Sequence, residues 1–254
     1  YSSLNDLKRH FIKFMLKVPS FGKTFVCLDD KNIRDICKTS KIKNILTYGF
    51  TNGSNFKIKN FSFQKNKSVF DVEMRLPNKK KTILKKFQIP LIGSHNVKNA
   101  TAAIAVSYFI GISPITLKNS LKNFKGVERR FNKIFTYNGA EIYDDYAHHP
   151  TEIREVLSGV SNSYKEKKIL CIFQPHRVSR LNDLKNDFCY SFKKANFVIL
   201  CPVYKAGENL KLKINYLKFA EQIAKKSKVQ VFFVNNQIEL AKFLKQFLDD
   251  KNIV

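Results

Sequence analysis

The sequence predicts an α/β fold in two parts, and three observations predict it. Apolar runs of strand length alternate with amphipathic stretches at helical spacing through most of the chain. Three consecutive runs in the first half alternate apolar and polar residues, with only short polar turns between them. From about residue 128 the texture becomes a regular strand–helix alternation, which argues for a parallel, doubly wound sheet. The expected domains are therefore 1–128 and 129–254.

Each element has a local reason. Leu4, Leu7, Phe11 and Phe14 recur at helical spacing, giving an amphipathic helix that ends near Val18-Pro19. Residues 24–28 read as a buried strand, 31–37 as a short helix and 44–50 as a second strand. Residues 56–63, 68–76 and 82–89 form the alternating runs of a small antiparallel meander. The run Lys79-Lys80-Lys81 falls in one of its hairpin turns. A helix over 95–109 is ended by Gly111. Another spans 114–124, with Ser113 as N-cap and Pro114 at its first position. In the second part, strands are expected at 133–137, 140–143, 169–173, 197–203 and 229–234. Helices are expected after Pro150 and at 180–193, 214–225 and 238–248. Asn252-Ile253-Val254 looks like the opening of one more strand.

Composition sets bounds on function. No apolar stretch approaches the roughly 20 residues that a membrane-spanning helix needs. Tyr1-Ser2-Ser3-Leu4-Asn5-Asp6 lacks the basic and apolar regions of a secretory signal, so a cytoplasmic chain that begins inside a longer protein is expected. The five cysteines are odd in number, widely separated and without a C-x-x-C pair, which suits neither a disulfide framework nor a zinc site. The net charge is +26, yet the basic residues are spread over nearly every segment. With lysine, asparagine, isoleucine and phenylalanine all plentiful, an AT-biased coding sequence explains the charge better than a dedicated nucleic-acid surface, although a basic nucleic-acid-binding protein is the alternative from another class. Of the 46 basic residues only eight are arginine. Four of these, Arg129, Arg130, Arg177 and Arg180, fall in two short motifs. The planar fork of arginine grips carboxylate or phosphate in a way that lysine cannot reproduce.

Several motifs carry chemistry. Gly22-Lys23-Thr24 resembles the end of a phosphate loop, but position 17 is Lys where that loop requires Gly, so the triplet is a turn. Gly93-Ser94-His95-Asn96-Val97-Lys98-Asn99 opens a helix with small residues behind it. Asn96 and Asn99 share a face and could pair with an adenine edge, or the segment could be an ordinary core helix. Glu128-Arg129-Arg130-Phe131 stands at the domain junction, where the arginines could bind a phosphate or lie on the surface. Asp144-Asp145-Tyr146-Ala147-His148-His149-Pro150-Thr151-Glu152 runs from a strand end into a helix start, the position where open α/β sheets place ligands. A capping role is its structural alternative. A metal site from Asp145, His148 and His149 is disfavoured, because adjacent histidines on a turn rarely point at one ion. Gln174-Pro175-His176-Arg177-Val178-Ser179-Arg180 and Tyr204-Lys205-Ala206-Gly207-Glu208 follow the next two strands. Three successive strand ends should converge on one crevice.

Taken together these motifs resemble the Mur ligase family, and within it the members that join alanine to UDP-N-acetylmuramate. The blocks Gly93-x-His95-Asn96-x-x-Asn99, Gly126-Val127-x-Arg129-Arg130-Phe131, Asp144-Asp145-Tyr146-x-His148-His149-Pro150, Gln174-Pro175-His176-Arg177-x-x-Arg180 and Tyr204-x-Ala206-Gly207-Glu208 carry the resemblance in order and spacing. Lys205 stands where Pro is frequent. The resemblance implies part of a central ATP-binding domain followed by a Rossmann-like domain that brings the amino acid. It implies ATP and magnesium as cofactors, with UDP-N-acetylmuramate and L-alanine as substrates joined through an acyl phosphate. His95, Asn96 and Asn99 would face the adenine, Arg129 and Arg130 the ATP phosphates, and Asp145 the ribose. Tyr146 and His148 would lie beside the incoming amine. His176, Arg177 and Arg180 would hold the alanine carboxylate, and His148, Arg177 and Arg180 would act in catalysis. No metal ligand is expected within this stretch: the phosphate loop and magnesium ligands would precede Tyr1, and a closing strand would follow Val254. This stretch alone is therefore expected to be inactive. A sister branch that reattaches murein tripeptide shares much of the His-His-Pro signature and is the runner-up.

Overall fold

The computed structural model describes residues 1, 3–40, 42–64, 67–77, 80–210 and 213–254. It divides into two compact units, Tyr1–Lys125 and Gly126–Val254. Both are α/β, as the sequence predicts.

In the first unit, α1 (Leu4–Met15) is capped by the Ser3 hydroxyl, which accepts the Asp6 N–H at 3.1 Å. Strand β1 (Thr24–Cys27), helix α2 (Lys31–Thr39) and strand β2 (Ile45–Gly49) form a parallel βαβ start, with Asp30 capping α2. Strands β3 (Phe56–Gln64), β4 (Lys67–Met74) and β5 (Thr82–Ile89) are the antiparallel meander. Of the lysine run placed in its turn, Lys79 lies outside the described residues. The meander is not separate, because β3 joins β2 in parallel through Tyr48↔Phe56 and Gly49↔Lys57, giving one sheet of order β1-β2-β3-β4-β5. So short a parallel connection needs outside support. The Asp29 carboxylate supplies it, accepting the Phe50 N–H at 3.0 Å and the Thr51 N–H at 2.8 Å. Asn55 accepts the Thr47 N–H at 2.8 Å, standing in for a strand neighbour. Phe56, Phe70 and Phe87 bury completely against Val97 and Ile104 of α3 (Ser94–Phe109), with Leu117 of α4 (Pro114–Lys122) at the margin. Each such side chain contributes about 1.5–3 kcal/mol of burial, so the sheet fixes where α3 begins.

The second unit opens with the hairpin of β6 (Asn132–Tyr137) and β7 (Ala140–Asp144), turned by Asn138 and Gly139, both at positive φ. There follow α5 (Pro150–Ser163), β8 (Lys168–Phe173), α6 (Val178–Asp183), α7 (Lys185–Cys189) and β9 (Phe197–Leu200). The unit ends with α8 (Tyr216–Ser227), β10 (Gln230–Phe233), α9 (Gln237–Leu244), a 3-10 turn at Lys245–Phe247 and β11 (Asn252–Ile253). The sheet order is β10-β9-β8-β11-β7-β6, parallel throughout except for β6. Residues 252–253 thus form a strand, as expected, and it enters the middle of the sheet between β7 and β8. One helix differs from expectation. The single helix over 180–193 is two short ones broken at Leu184, which leaves helical geometry so that Phe188 and Phe192 can turn into the core under Phe173. Strand β9 stops at Leu200, short of the expected 203, because Pro202 has no N–H for the ladder.

Candidate functional site

In the second unit β11 returns to lie between β7 and β8, and the parallel strands β7, β8 and β9 bring their carboxyl ends to one edge, the side on which open α/β sheets bind ligands. Three loops leave that edge. Their side chains meet: Tyr146 lies 4.8 Å from His148 and 6.0 Å from His176, ring centre to ring centre. His176 lies 5.8 Å from His148 and 5.5 Å from Tyr204. The backbone fixes this contact. His176 and Tyr204 form an isolated parallel bridge, with Tyr204 N–H donating to the Pro175 carbonyl at 2.8 Å and Arg177 N–H to the Tyr204 carbonyl at 2.9 Å.

Hydrogen bonding sets the imidazole tautomers. His148 Nδ1 is 2.7 Å from the Tyr146 carbonyl. A carbonyl only accepts, so Nδ1 carries the proton and, in the neutral ring, Nε2 is the acceptor. In His176 the arrangement reverses: Arg180 Nη1 donates to the His176 carbonyl at 3.1 Å and approaches its Nδ1 at 3.4 Å. A guanidinium only donates, so Nδ1 of His176 accepts and Nε2 bears the proton. Burial and then the Arg180 charge push the His176 pKa down, which keeps this ring neutral.

The motif at residues 144–152 divides in two. His149 caps α5, its Nδ1 accepting the Thr151 N–H at 3.3 Å. Glu152 accepts the N–H groups of His148 at 3.0 Å and His149 at 3.1 Å, completing a capping box. Burial raises the Glu152 carboxyl, but those donors and the nearby His148 and Arg130 charges bring it below the ordinary value on balance. Capping therefore belongs to His149 and Glu152, while Tyr146 and His148 join the ring cluster. Asp145 accepts the Ala147 N–H at 2.7 Å. Burial raises its pKa, against the lowering effect of N–H donors from Ala147 and Phe131 and of the Arg130 charge. Beneath it an apolar cavity of about 170 Å³ opens between the sheet and α5, lined by Phe131, Tyr143, Ile153, Leu157 and Cys171.

The arginines play distinct parts. Arg129, at positive φ, donates from Nε to Asp144 at 3.1 Å and lays its guanidinium 4.8 Å from the centre of the Tyr146 ring. Arg130 is exposed, and its N–H is held by the Asn132 side chain at 2.7 Å. Arg177, also at positive φ, is exposed and is the N-cap residue of α6. Among the described residues no group of three or more His, Cys, Asp or Glu side chains converges at metal-ligating distance.

In the first unit, α3 starts at Gly93, whose φ of 99° suits glycine. The His95 ring folds over it, so an added Cβ would sit 2.6 Å from His95 Cε1. Asn96 commits one N–H to the Ile92 carbonyl at 2.7 Å, leaving its oxygen and second N–H. Asn99 is exposed. The helix has no side-chain N-cap. The Asn96 N–H donates to the Gly93 carbonyl at 3.1 Å, which tightens the first turn.

Sequence reasoning placed Tyr204 and Glu208 in a motif but gave them no role. The first packs on His176, and the second accepts both the N–H and the hydroxyl of Ser179. The signal available was Ala206-Gly207, whose left-handed geometry turns the loop back towards α6.

Comparison with known proteins is consistent with this geometry. The family description "Mur ligase middle domain" matches residues 1–107, and "Mur ligase, glutamate ligase domain" matches 129–254. Over all 254 residues the chain is 56% identical to the UDP-N-acetylmuramate–L-alanine ligase of Pelagibacter ubique, covering 55% of that protein. It is 39% identical over 213 residues, 82% of the chain, to the ligase of the same name from Brachyspira hyodysenteriae, covering 44% of it. Among solved structures, the UDP-N-acetylmuramate-alanine ligase of Thermotoga maritima shares the fold, with TM-score 0.72 at 23% identity over 99% of this chain and 51% of that one. The chain thus spans about half the length of these relatives. It belongs to the Mur ligase family, whose members are ATP-dependent ligases that form amide bonds.

Proposed function

We propose that the protein containing this chain ligates L-alanine to UDP-N-acetylmuramate in peptidoglycan precursor synthesis. The observation that carries this reading is the convergence of Tyr146, His148, His176 and Tyr204 beside Arg177 and Arg180. When bound, ATP would supply the phosphoryl group that activates the muramyl carboxylate. The chain's own residues then bind, orient and move a proton. Arg177 and the free edge of Arg180 grip the alanine carboxylate by charge-assisted forks. The protonated Nε2 of His176 offers a further donor. Tyr146 and His148 flank the amine, and Nε2 of the neutral His148 ring is the acceptor suited to take a proton from the alanine ammonium, which frees the amine lone pair to attack the acyl phosphate as phosphate leaves. Arg129 and Arg130 face phosphate oxygens, and Asp145 holds the ribose. In the first unit, His95, Asn96 and Asn99 meet the adenine at the start of α3. No magnesium ligand is assigned to the described residues, and no step is routed through that ion. The five free cysteines fit a reducing, cytoplasmic setting.

The test is a graft in which this chain replaces its aligned part of the Pelagibacter ubique ligase. Phosphate release should require UDP-N-acetylmuramate and alanine together. Release that accepts murein tripeptide in place of alanine would transfer the assignment to the tripeptide-recycling branch. Steeply salt-dependent DNA binding without turnover would point to a nucleic-acid binder. In the graft, Arg180→Lys should raise the alanine KM about tenfold or more while sparing the ATP KM, because a point charge cannot match a fork.

A further inference from the structure

Helix α6 carries both Arg177, at its N-cap, and Arg180, one turn on, yet it has no side-chain cap of its own. The N–H groups of a first helical turn lack intrahelical partners and need acceptors. Here the acceptor comes from another loop. Glu208, after β9, accepts the Ser179 N–H at 3.0 Å with one carboxylate oxygen and the Ser179 hydroxyl with the other. The Val178 N–H lies close enough to this carboxylate to help lower its pKa. Three further features aim it there. Ala206 and Gly207 are left-handed, Glu208 N–H closes the turn on the Lys205 carbonyl at 3.0 Å, and the Tyr204 backbone pairs with Pro175 and Arg177. Arg177 itself sits at φ 71°, a conformation that a residue with a side chain keeps only where its surroundings impose it. The imposed contacts are the Tyr204 pairing on one side of Arg177 and the Glu208 cap on the other.

We infer that Glu208 is a positioning residue for amino-acid recognition: capping α6 from the neighbouring loop, it holds Arg177 and Arg180 in the arrangement that receives a carboxylate, without touching the substrate itself. Both oxygens are engaged at the helix start, and the nearby Arg177 charge helps to keep the carboxylate ionised. The inference rests on the proposed ligation in naming the carboxylate as that of the amino acid. The latch itself is a claim about α6 alone.

Two measurements test it. In the grafted ligase, Glu208→Ala should raise the alanine KM about tenfold, the size expected for losing a charge-assisted contact, with the ATP KM unchanged. Glu208→Gln, which keeps an acceptor oxygen, should restore part of that loss. An unchanged alanine KM, or equal rises for alanine and ATP, would overturn the inference. In the isotope-labelled chain itself, Glu208→Ala should shift the Arg177 and Arg180 Nε–H resonances and leave that of Arg129 in place. Unmoved Arg177 and Arg180 resonances would overturn the latch, whatever the graft does. If the unsubstituted graft releases no phosphate with alanine, the ligation proposal fails by that result, and the resonance comparison alone decides the latch.

Discussion

The start of α3 and the rim of the second sheet each gather polar side chains at one place, by opposite means. At α3 the groups come from seven consecutive residues, and their geometry is local. One glycine at positive φ, one imidazole folded over it and one side-chain bond to Ile92 fix it. At the rim the groups come from three loops separated by whole helices, and their geometry depends on strands β7, β8 and β9 being held in register. A local site should break by local strain and survive damage elsewhere. An assembled site should loosen whenever the sheet beneath it is damaged, even if no rim residue changes.

The largest expected effect comes from that second clause. Phe173 ends β8, is 4% exposed, and packs its ring 5.4 Å from Phe188 and 5.1 Å from Phe192. Phe173→Ala should cost about 3–5 kcal/mol through lost transfer energy and a residual cavity. Hydrogen exchange should accelerate at residues 174–180 and hold steady at 94–105. Equal acceleration in both segments would break the distinction between an assembled and a local site.

Gly93→Ala probes the other side of the comparison at smaller cost. The added Cβ meets the His95 ring, and φ 99° with ψ 140° is a region that residues with side chains avoid. The penalty should be about 1–3 kcal/mol, with protection lost in the first turn of α3. The Tyr146, His148 and His176 ring resonances of the second unit should stay in place. Movement of those rings would show that α3 is less self-contained than its geometry indicates.

What the sequence made legible follows the same division. The α3 start could be read because its signal is contiguous, a glycine followed by polar residues at one helical turn. The rim could be read because each motif follows an apolar strand, and parallel strands must bring their carboxyl ends to one edge. The unread features are those that only distant contacts decide. Nothing local says that Leu184 interrupts a helix, since the break answers to Phe188 and Phe192 reaching the core. The parallel seam between β2 and β3 depends on Asp29, some 20 residues upstream of the loop that it pins. The division of labour between His148 and His149 is a matter of which ring faces the helix end. Their adjacency in sequence could not express it.

The smallest effect sharpens the electrostatics of the assembled site. His176 has its pKa lowered first by burial and second by the Arg180 charge, with His148 and Arg177 adding to the same direction and Glu208 opposing it. A histidine whose folded value lies below its unfolded one binds its proton less readily when folded. The stability associated with its neutral form is therefore fully present above the ordinary histidine range, and it is lost as the pH falls from that range through the folded value. Arg180→Gln removes the second cause and leaves the first. The His176 titration, followed by its ring carbon-bound protons in the labelled chain, should move upwards and still end below the ordinary value. No movement would mean that the guanidinium charge does not reach the ring, despite its 3.4 Å approach to Nδ1. A complete return would mean that burial contributes little, and that His176 is held neutral by its neighbour on α6 instead of by the sheet edge on which it sits.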